Sequence, residues 1–344
     1  MATTVQGAVE GASATESRGS WRDIVARYQQ TEVPRALIQL VVTLGLLAAG
    51  FTAMAFSLSG PYWITMLIGL PTAGLLVRSF IIMHDCAHGS FLPWRGANDA
   101  IGWVTGIITL TPFDQWRRDH AIHHASSGDL DRRGHGDVDT ITVREYQALS
   151  PKDQFKYRMK RHPVALLLVG PLYLMYSQRF RPRSKATKDK QITSVLWTNI
   201  AIAAVVAGFA LAGLLPEFLM VYFPVMYLAG MAGVFLFYVQ HQFEETYWAQ
   251  HGEWDYLTAS IAGSSYLKLP RPLAWITGDI GVHHVHHLSP KIPNYKLQEC
   301  HDENPIFHKV TTLTLKDTWK PLWLSLWDEE QGKLISFKEL EKRT

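Results

Sequence analysis

Long charge-free runs dominate the hydropathy pattern of the chain. No charged residue lies between Ala36 and Val77, and Ser59-Gly60-Pro61 breaks that stretch. A helix needs about 20 apolar residues to cross a hydrocarbon core, so the run predicts two spans, about 36–58 and 62–83, in a tight hairpin. Pro71 lies mid-span and predicts a kink. The pattern returns later: Gln191–Pro216 and Phe218–Phe243 are uncharged, with only Glu217 between them. This predicts a second hairpin, about 193–215 and 218–240. Two other apolar stretches, Ala100–Phe113 and Pro163–Gln178, are too short to span, and Gly170-Pro171 interrupts the second. Both read as interfacial or re-entrant helices. The expected fold class is an all-α integral membrane protein, four transmembrane helices in two hairpins with a helical cap between and after them.

Charge orients this arrangement. The hairpin tips carry no Lys or Arg, so all 33 basic residues lie on the other side. The positive-inside rule then places both termini, residues 84–190 and residues 241–344 in the cytoplasm. Arg78 is expected to snorkel from a helix end. Residues 1–30 begin with a small, polar stretch lacking an apolar core, which reads as a disordered tail and not as a signal peptide. Trp319, Trp323 and Trp327 recur at i, i+4, i+8. Residues 311–344 are therefore expected to form an interfacial amphipathic segment, its Trp-rich helix face lying at the headgroups or against the cap.

Composition narrows the function classes. Charged residues make up 18% of the 344 positions, below the roughly 25% of soluble domains. A net charge of +3 is too small for a dedicated nucleic-acid binder. Two cysteines, Cys86 and Cys300, exclude a disulfide scaffold and a CxxC site. Cys86 reads as a small packing residue.

The histidines carry the chemistry. Nine of 15 fall in three clusters: His84 and His88 in HDCAH, His120, His123 and His124 in HAIHH, and His283, His284, His286 and His287 in HHVHH. Residues at i, i+3 and i+4 share a helix face. His84 with His88, His120 with His123 and His124, and His283 with His286 and His287 should each project together. All three groups follow the cytoplasmic ends of predicted spans and can face one volume below the bilayer. That many neutral imidazoles exceed the four to six ligands of one metal, so two metal ions fit best. Histidine-rich coordination beside a lipid phase suggests redox work with O₂, for which iron is the best fit. Asp85, Asp119, Asp279, Glu244 and Glu245 are placed to accept the second N–H of a ligating histidine.

These residues are similar to the membrane fatty acid (acyl-lipid) desaturases, whose pattern is HxxxH, HxxHH, HxxHH with hairpins between. Here the boxes read His84-x-x-x-His88, His120-x-x-His123-His124 and His283-x-x-His286-His287, and the likeness covers about residues 31–310. HDCAHGSF, GDVDTITVREY, YVQHQFEETYW and HHVHHLSPKIPNYKLQECH resemble bacterial relatives of the delta-12 (omega-6) branch. The resemblance implies that the eight box histidines are both catalytic and metal-binding, with His241 as a ninth ligand. It implies two non-haem iron ions, O₂ as co-substrate, an acyl-lipid substrate, and a cis double bond converting oleoyl to linoleoyl. No His-Pro-Gly-Gly motif of a fused cytochrome b5 occurs, so electrons come from a separate donor, a ferredoxin or similar. The expected location is a bacterial cytoplasmic membrane.

The remaining histidines have weaker readings. His284 fills a variable box position, and His251, His301 and His308 read as outer-sphere or surface groups. His135 lies in a composition typical of turns, and His162 marks a helix start. Arg117 and Arg118 could meet lipid phosphate or the electron donor, or simply set topology. Two other functions compete. A hydroxylase or ketolase on the same scaffold would give an alcohol or ketone instead of an alkene. A transition-metal transporter would need histidines near the membrane midplane, and no predicted span contains one.

Overall fold

The computed structural model describes residues 21–134, 136, 138–180 and 189–343. Residues 1–20 of the expected tail and the turn at His135 lie outside the described residues; residues 21–30 do not fit a disordered tail, because 21–26 are helical and Val25 and Tyr28 are buried in an apolar cluster with Leu288 and Phe307.

Four helices are long and apolar enough to cross a membrane: α1 (Val33–Ser57), α2 (Tyr62–His88), α8 (Asp189–Leu211) and α9 (Leu215–His241). The protein is a predominantly helical membrane protein, as expected. Gly50 lets α1 approach α2, because a Cβ there would fall 2.5 Å from Thr72 Oγ1. The second hairpin turns earlier than the charge pattern suggests, at residues 212–214. Gly213 takes a left-handed φ of 71° there. Pro216 and Glu217 belong to the first turn of α9, where a missing N–H costs nothing and a carboxylate faces the positive helix end. Pro71 lies inside α2, which continues through it. The outer faces stay apolar and uncovered, with Val41 at 69% and Phe56 at 79% exposure, as lipid contact requires.

Between the hairpins come α3 (Arg95–Ile108), α4 (Phe113–Ser126), β1 (Ile141–Thr142), α5 (Val143–Ala148) and α6 (Pro151–Arg161). A π turn over Ala165–Val169 leads into α7 (Gly170–Phe180). Gly170-Pro171 therefore does not interrupt the helix. The widened turn makes room for the proline, which packs where a Cβ on Gly230 of α9 would lie 3.2 Å away. His162 closes α6 and caps its C-terminal end.

After α9 follow α10 (Tyr256–Ala262), β2 (Tyr266–Lys268), α11 (Arg271–Ile276), α12 (His283–Leu288), α13 (Asn294–Glu303), β3 (Thr312–Thr314), β4 (Leu324–Asp328), β5 (Lys333–Ser336) and α14 (Phe337–Glu341). β4 pairs parallel with β1 and antiparallel with β5, while β2 pairs parallel with β3.

Two expectations are corrected here. The Trp-rich C-terminal helix does not form. Pro321 stands between Trp319 and Trp323, where it would remove a helical hydrogen bond. Trp327 is buried in β4 beside Leu334, while Trp319 and Trp323 stay exposed on short 3₁₀ turns. Arg78 does not snorkel. It is buried, donates to Thr43 Oγ1 at 3.2 Å and to the Trp275 carbonyl, and lies 4.1 Å above the Trp275 ring. It thereby pins α11 to α2.

Candidate metal centre and its setting

The site is assembled by four helix ends. α2 runs past its apolar stretch to His88, and Gly89 then takes a left-handed φ of 68° that ends it. The last polar turn carries His84 and His88. α4 supplies His120, His123 and His124; α9 ends on His241; and α12 supplies His283, His286 and His287. Three of these histidines thus sit on the final turns of spanning helices, beyond the predicted span ends, because protein and not lipid covers those turns.

The rings form two groups. His84, His88, His120, His124 and His286 each offer a nitrogen within 4.8 Å of the others, and so do His123, His241 and His287. His283 Nε2 lies 2.9 Å from His241 Nε2 and adjoins the second group. Each HxxHH box is therefore divided. α4 sends His120 and His124 to one group and His123 to the other, while α12 sends His286 to the first and His287 to the second.

This donor set fits metal ions better than hydrogen bonds. His286 Nε2 lies 3.0 Å from both His84 Nε2 and His124 Nε2, and His124 Nε2 lies 3.1 Å from His120 Nε2. Such lone-pair atoms converge when a cation lies between them. His88 Nε2 and His287 Nε2 are buried with no hydrogen-bond partner among the described residues. Burial, followed by neighbouring imidazoles, holds the pKa values of His124, His283, His286 and His287 well below the usual histidine range. Neutral imidazole is the form that binds metal.

The outer nitrogens are held by fewer groups than the sequence suggests. His84 Nδ1 meets Asp85 Oδ1 at 3.1 Å. Asp85 Oδ2 accepts from the Asn294 backbone N–H at 2.7 Å and from its amide at 2.8 Å. His241 Nδ1 donates to the Gly263 carbonyl at 3.2 Å, which leaves Nε2 as the lone pair facing the cluster. The other acids are not shown in that role. Glu244 pairs with Lys320 and Lys333, and Glu245 is exposed. Asp119 accepts from Gln115 at 2.8 Å. His283 Nδ1 is buried without a hydrogen-bond partner, so Asp279 does not hold it.

Two aromatic neighbours escape a histidine-centred reading. Trp116 stacks on His120 at 4.3 Å, and Phe237 lies 5.1 Å from both His123 and His241. Each stands four residues before a box or lone histidine on the same helix, and that spacing is the signal that would find them. Cys86 is buried packing beside the site. Arg117 pairs with Asp99 at 2.6 Å and with Asp114, so it is not offered to lipid. The remaining histidines stand apart: His284 contacts His301 at 3.1 Å, His308 contacts the His301 carbonyl, and His251 meets Asp129 at 2.8 Å.

Comparison with known proteins resolves the family. The family model described as fatty acid desaturase matches residues 58–311. The chain belongs to the fatty acid desaturase family. A "Fatty acid desaturase" of Bacillus subtilis (strain 168) is 41% identical over 319 residues, covering 92% of this chain and 90% of the relative. An "sn-1 oleoyl-lipid 12-desaturase" of Synechocystis is 24% identical over 298 residues, 85% of this chain and 79% of that protein. An "sn-1 acyl-lipid omega-3 desaturase (ferredoxin)" of the same organism is 27% identical over 313 residues, with 87% and 83% covered. This desaturase is accordingly an oxidoreductase of lipid metabolism.

Proposed function

We propose that the protein introduces a cis double bond into an acyl chain of a membrane lipid, using O₂ and two electrons, at two iron ions held by the clustered histidines. The observation that carries this reading is the convergence of His84, His88, His120, His124 and His286 in one group and His123, His241 and His287 in another. Unactivated C–H bonds are not acidic, so no side-chain base can open them; bound iron would supply the O₂-derived oxidising power. The chain's own part is to hold neutral imidazoles in place, to fix His84 and His241 through their second nitrogens, and to keep the site buried beneath the membrane.

The preferred position is delta-12 (omega-6), converting oleoyl to linoleoyl. The branch-like box motifs support it, and so does the relative named as an oleoyl-lipid 12-desaturase. A relative named as an omega-3 enzyme is similar to a comparable degree, so product analysis must choose the carbon. Electrons come from a separate ferredoxin-like carrier, in keeping with the relative whose name includes ferredoxin. Both termini are cytoplasmic, as the charge-free hairpin tips indicate.

The test is the fatty-acid profile of cells expressing the chain, by gas chromatography with mass spectrometry, against His120→Ala. A new diene absent from the variant is expected. A hydroxylated acid in its place would assign the chain to the related oxygenases. Metal analysis should find two iron ions per chain.

A further inference from the structure

A narrow, partly open pocket with room for about one water molecule lies against the second histidine group on its cap side. His123 and His241 line it together with buried Ser127 and Thr246. Half-buried Val138 and Trp248 complete this side of the lining. Apart from His241, the last residue of α9, no lining residue comes from the four long helices. Ser127, Gln242, Thr246 and Trp248 place polar groups among its lining, and its narrowness suits water and not an acyl chain. The Trp248 indole N–H is buried without a hydrogen-bond partner among the described residues, and so are the hydroxyls of Ser264 and Ser265, which follow Gly263 of the lining in sequence. Buried donors of this kind are satisfied by solvent when the space beside them is polar. The cavity also accounts for residues of two motifs that metal binding leaves unexplained, Val138 in GDVDTITVREY and Thr246 and Trp248 in YVQHQFEETYW.

We propose that this cavity is a polar port, by which water and protons pass between the cytoplasmic side and the histidine centre while the acyl chain enters elsewhere. The inference rests on the desaturase reading above. In that reaction two C–H bonds on adjacent carbons break and one carbon–carbon π bond forms. O₂ is reduced by those two hydrogens, by two electrons from a one-electron iron–sulfur carrier and by two protons, giving two water molecules. Two protons must therefore arrive and two waters leave on every turnover, and neither crosses hydrocarbon cheaply. A separate polar route keeps the acyl path dry.

The experiment reads access and not turnover. Iron-loaded protein in detergent is mixed with azide, a small anion that enters poorly through lipid, and association is followed by the visible absorption change. Val138→Phe and Thr246→Leu each add bulk to the lining at a separate position and replace no histidine. Each should keep wild-type iron content and slow azide association by about tenfold, the effect of an added barrier near 1.4 kcal/mol. Trp248→Phe keeps the ring but removes the N–H, and should slow association less than either plug. Unchanged azide rates in both plugged variants, with iron retained, would overturn the port alone. Loss of iron from both plugs would also overturn it, by making the walls part of the metal support. Wild-type protein that binds no iron would overturn the metal reading and the port together.

Discussion

His84 shows how a box histidine depends on its second nitrogen. Its Nδ1 faces Asp85, and Asp85 is in turn held by two N–H groups of Asn294. Asn294 Oδ1 accepts from Gln39 of α1 at 3.0 Å, so the chain of contacts reaches the first helix. Losing such an outer partner costs about 10–100-fold in metal affinity in other sites. Asp85→Asn should therefore lower iron affinity by about that factor while the protein stays folded, as read by metal competition against a calibrated chelator. Equal affinity in the variant would mean that Asp85 only packs. Glu145 shows a second residue-scale effect, away from the site. It closes a capping box with Thr142 and pairs with Arg133 at 2.7 Å. Hydrogen bonding to Arg133 leads the causes that hold its carboxyl at about 2. A depressed carboxylate pKa adds stability above the ordinary value of 4.5 and loses it as pH falls through about 2. Thermal unfolding of wild type against Glu145→Gln should show a gap above pH 4.5 that closes towards pH 2.

At the scale of elements, Arg161 joins parts distant in sequence. It is buried at the end of α6 and donates to Gln242 Oε1 at 2.7 Å and to the Leu324 carbonyl at 3.1 Å. Its guanidinium also lies 5.1 Å from the Tyr238 ring of α9. Among the described residues no carboxylate forms an ion pair with it. Carbonyl groups and aromatic faces hold the charge instead, near the negative end of α9. Gln242 follows His241 directly, so the C-terminal strands brace the end of α9 through this arginine. Arg161→Met takes a charged donor from two buried acceptors, of which the Leu324 carbonyl keeps the Tyr238 hydroxyl at 2.8 Å, and should destabilise the protein by about 2 kcal/mol. It should also lower iron content, whereas Arg161→Lys, which keeps the charge, should restore part of it. Full iron occupancy in the methionine variant would separate the brace from the site.

For the whole molecule, the two hairpins and the cap meet at one level, where α2 and α9 end in histidines. The charge-free tips at residues 58–61 and 212–214 lie at the opposite ends of those helices. Single cysteines at Ser59 and Ala212, placed in a Cys86→Ser, Cys300→Ser background, should react with a membrane-impermeant maleimide from outside intact spheroplasts. A cysteine at exposed Glu245 should react only after lysis. Labelling of Glu245→Cys before lysis would invert the topology.

The sequence alone determined the membrane class, since four charge-free runs of spanning length have few other ways to satisfy their backbone. It also determined which side chains meet within a helix, because i, i+3 and i+4 spacing acts over one turn. The Gly213 turn and the Pro321 break are legible too, in turn chemistry and not in apolar length. Tertiary structure decided the rest. The division of each HxxHH box between two groups depends on how α4 and α12 pack against α2 and α9. The choice of Asp85 over Asp279 as a histidine partner depends on Asn294, far along the chain. The pairing of β4 with β1, and the burial of Arg78 against Trp275, likewise join segments remote in sequence. Hydropathy and helical spacing report what a residue meets locally or in lipid; these contacts arise only when distant segments share a surface.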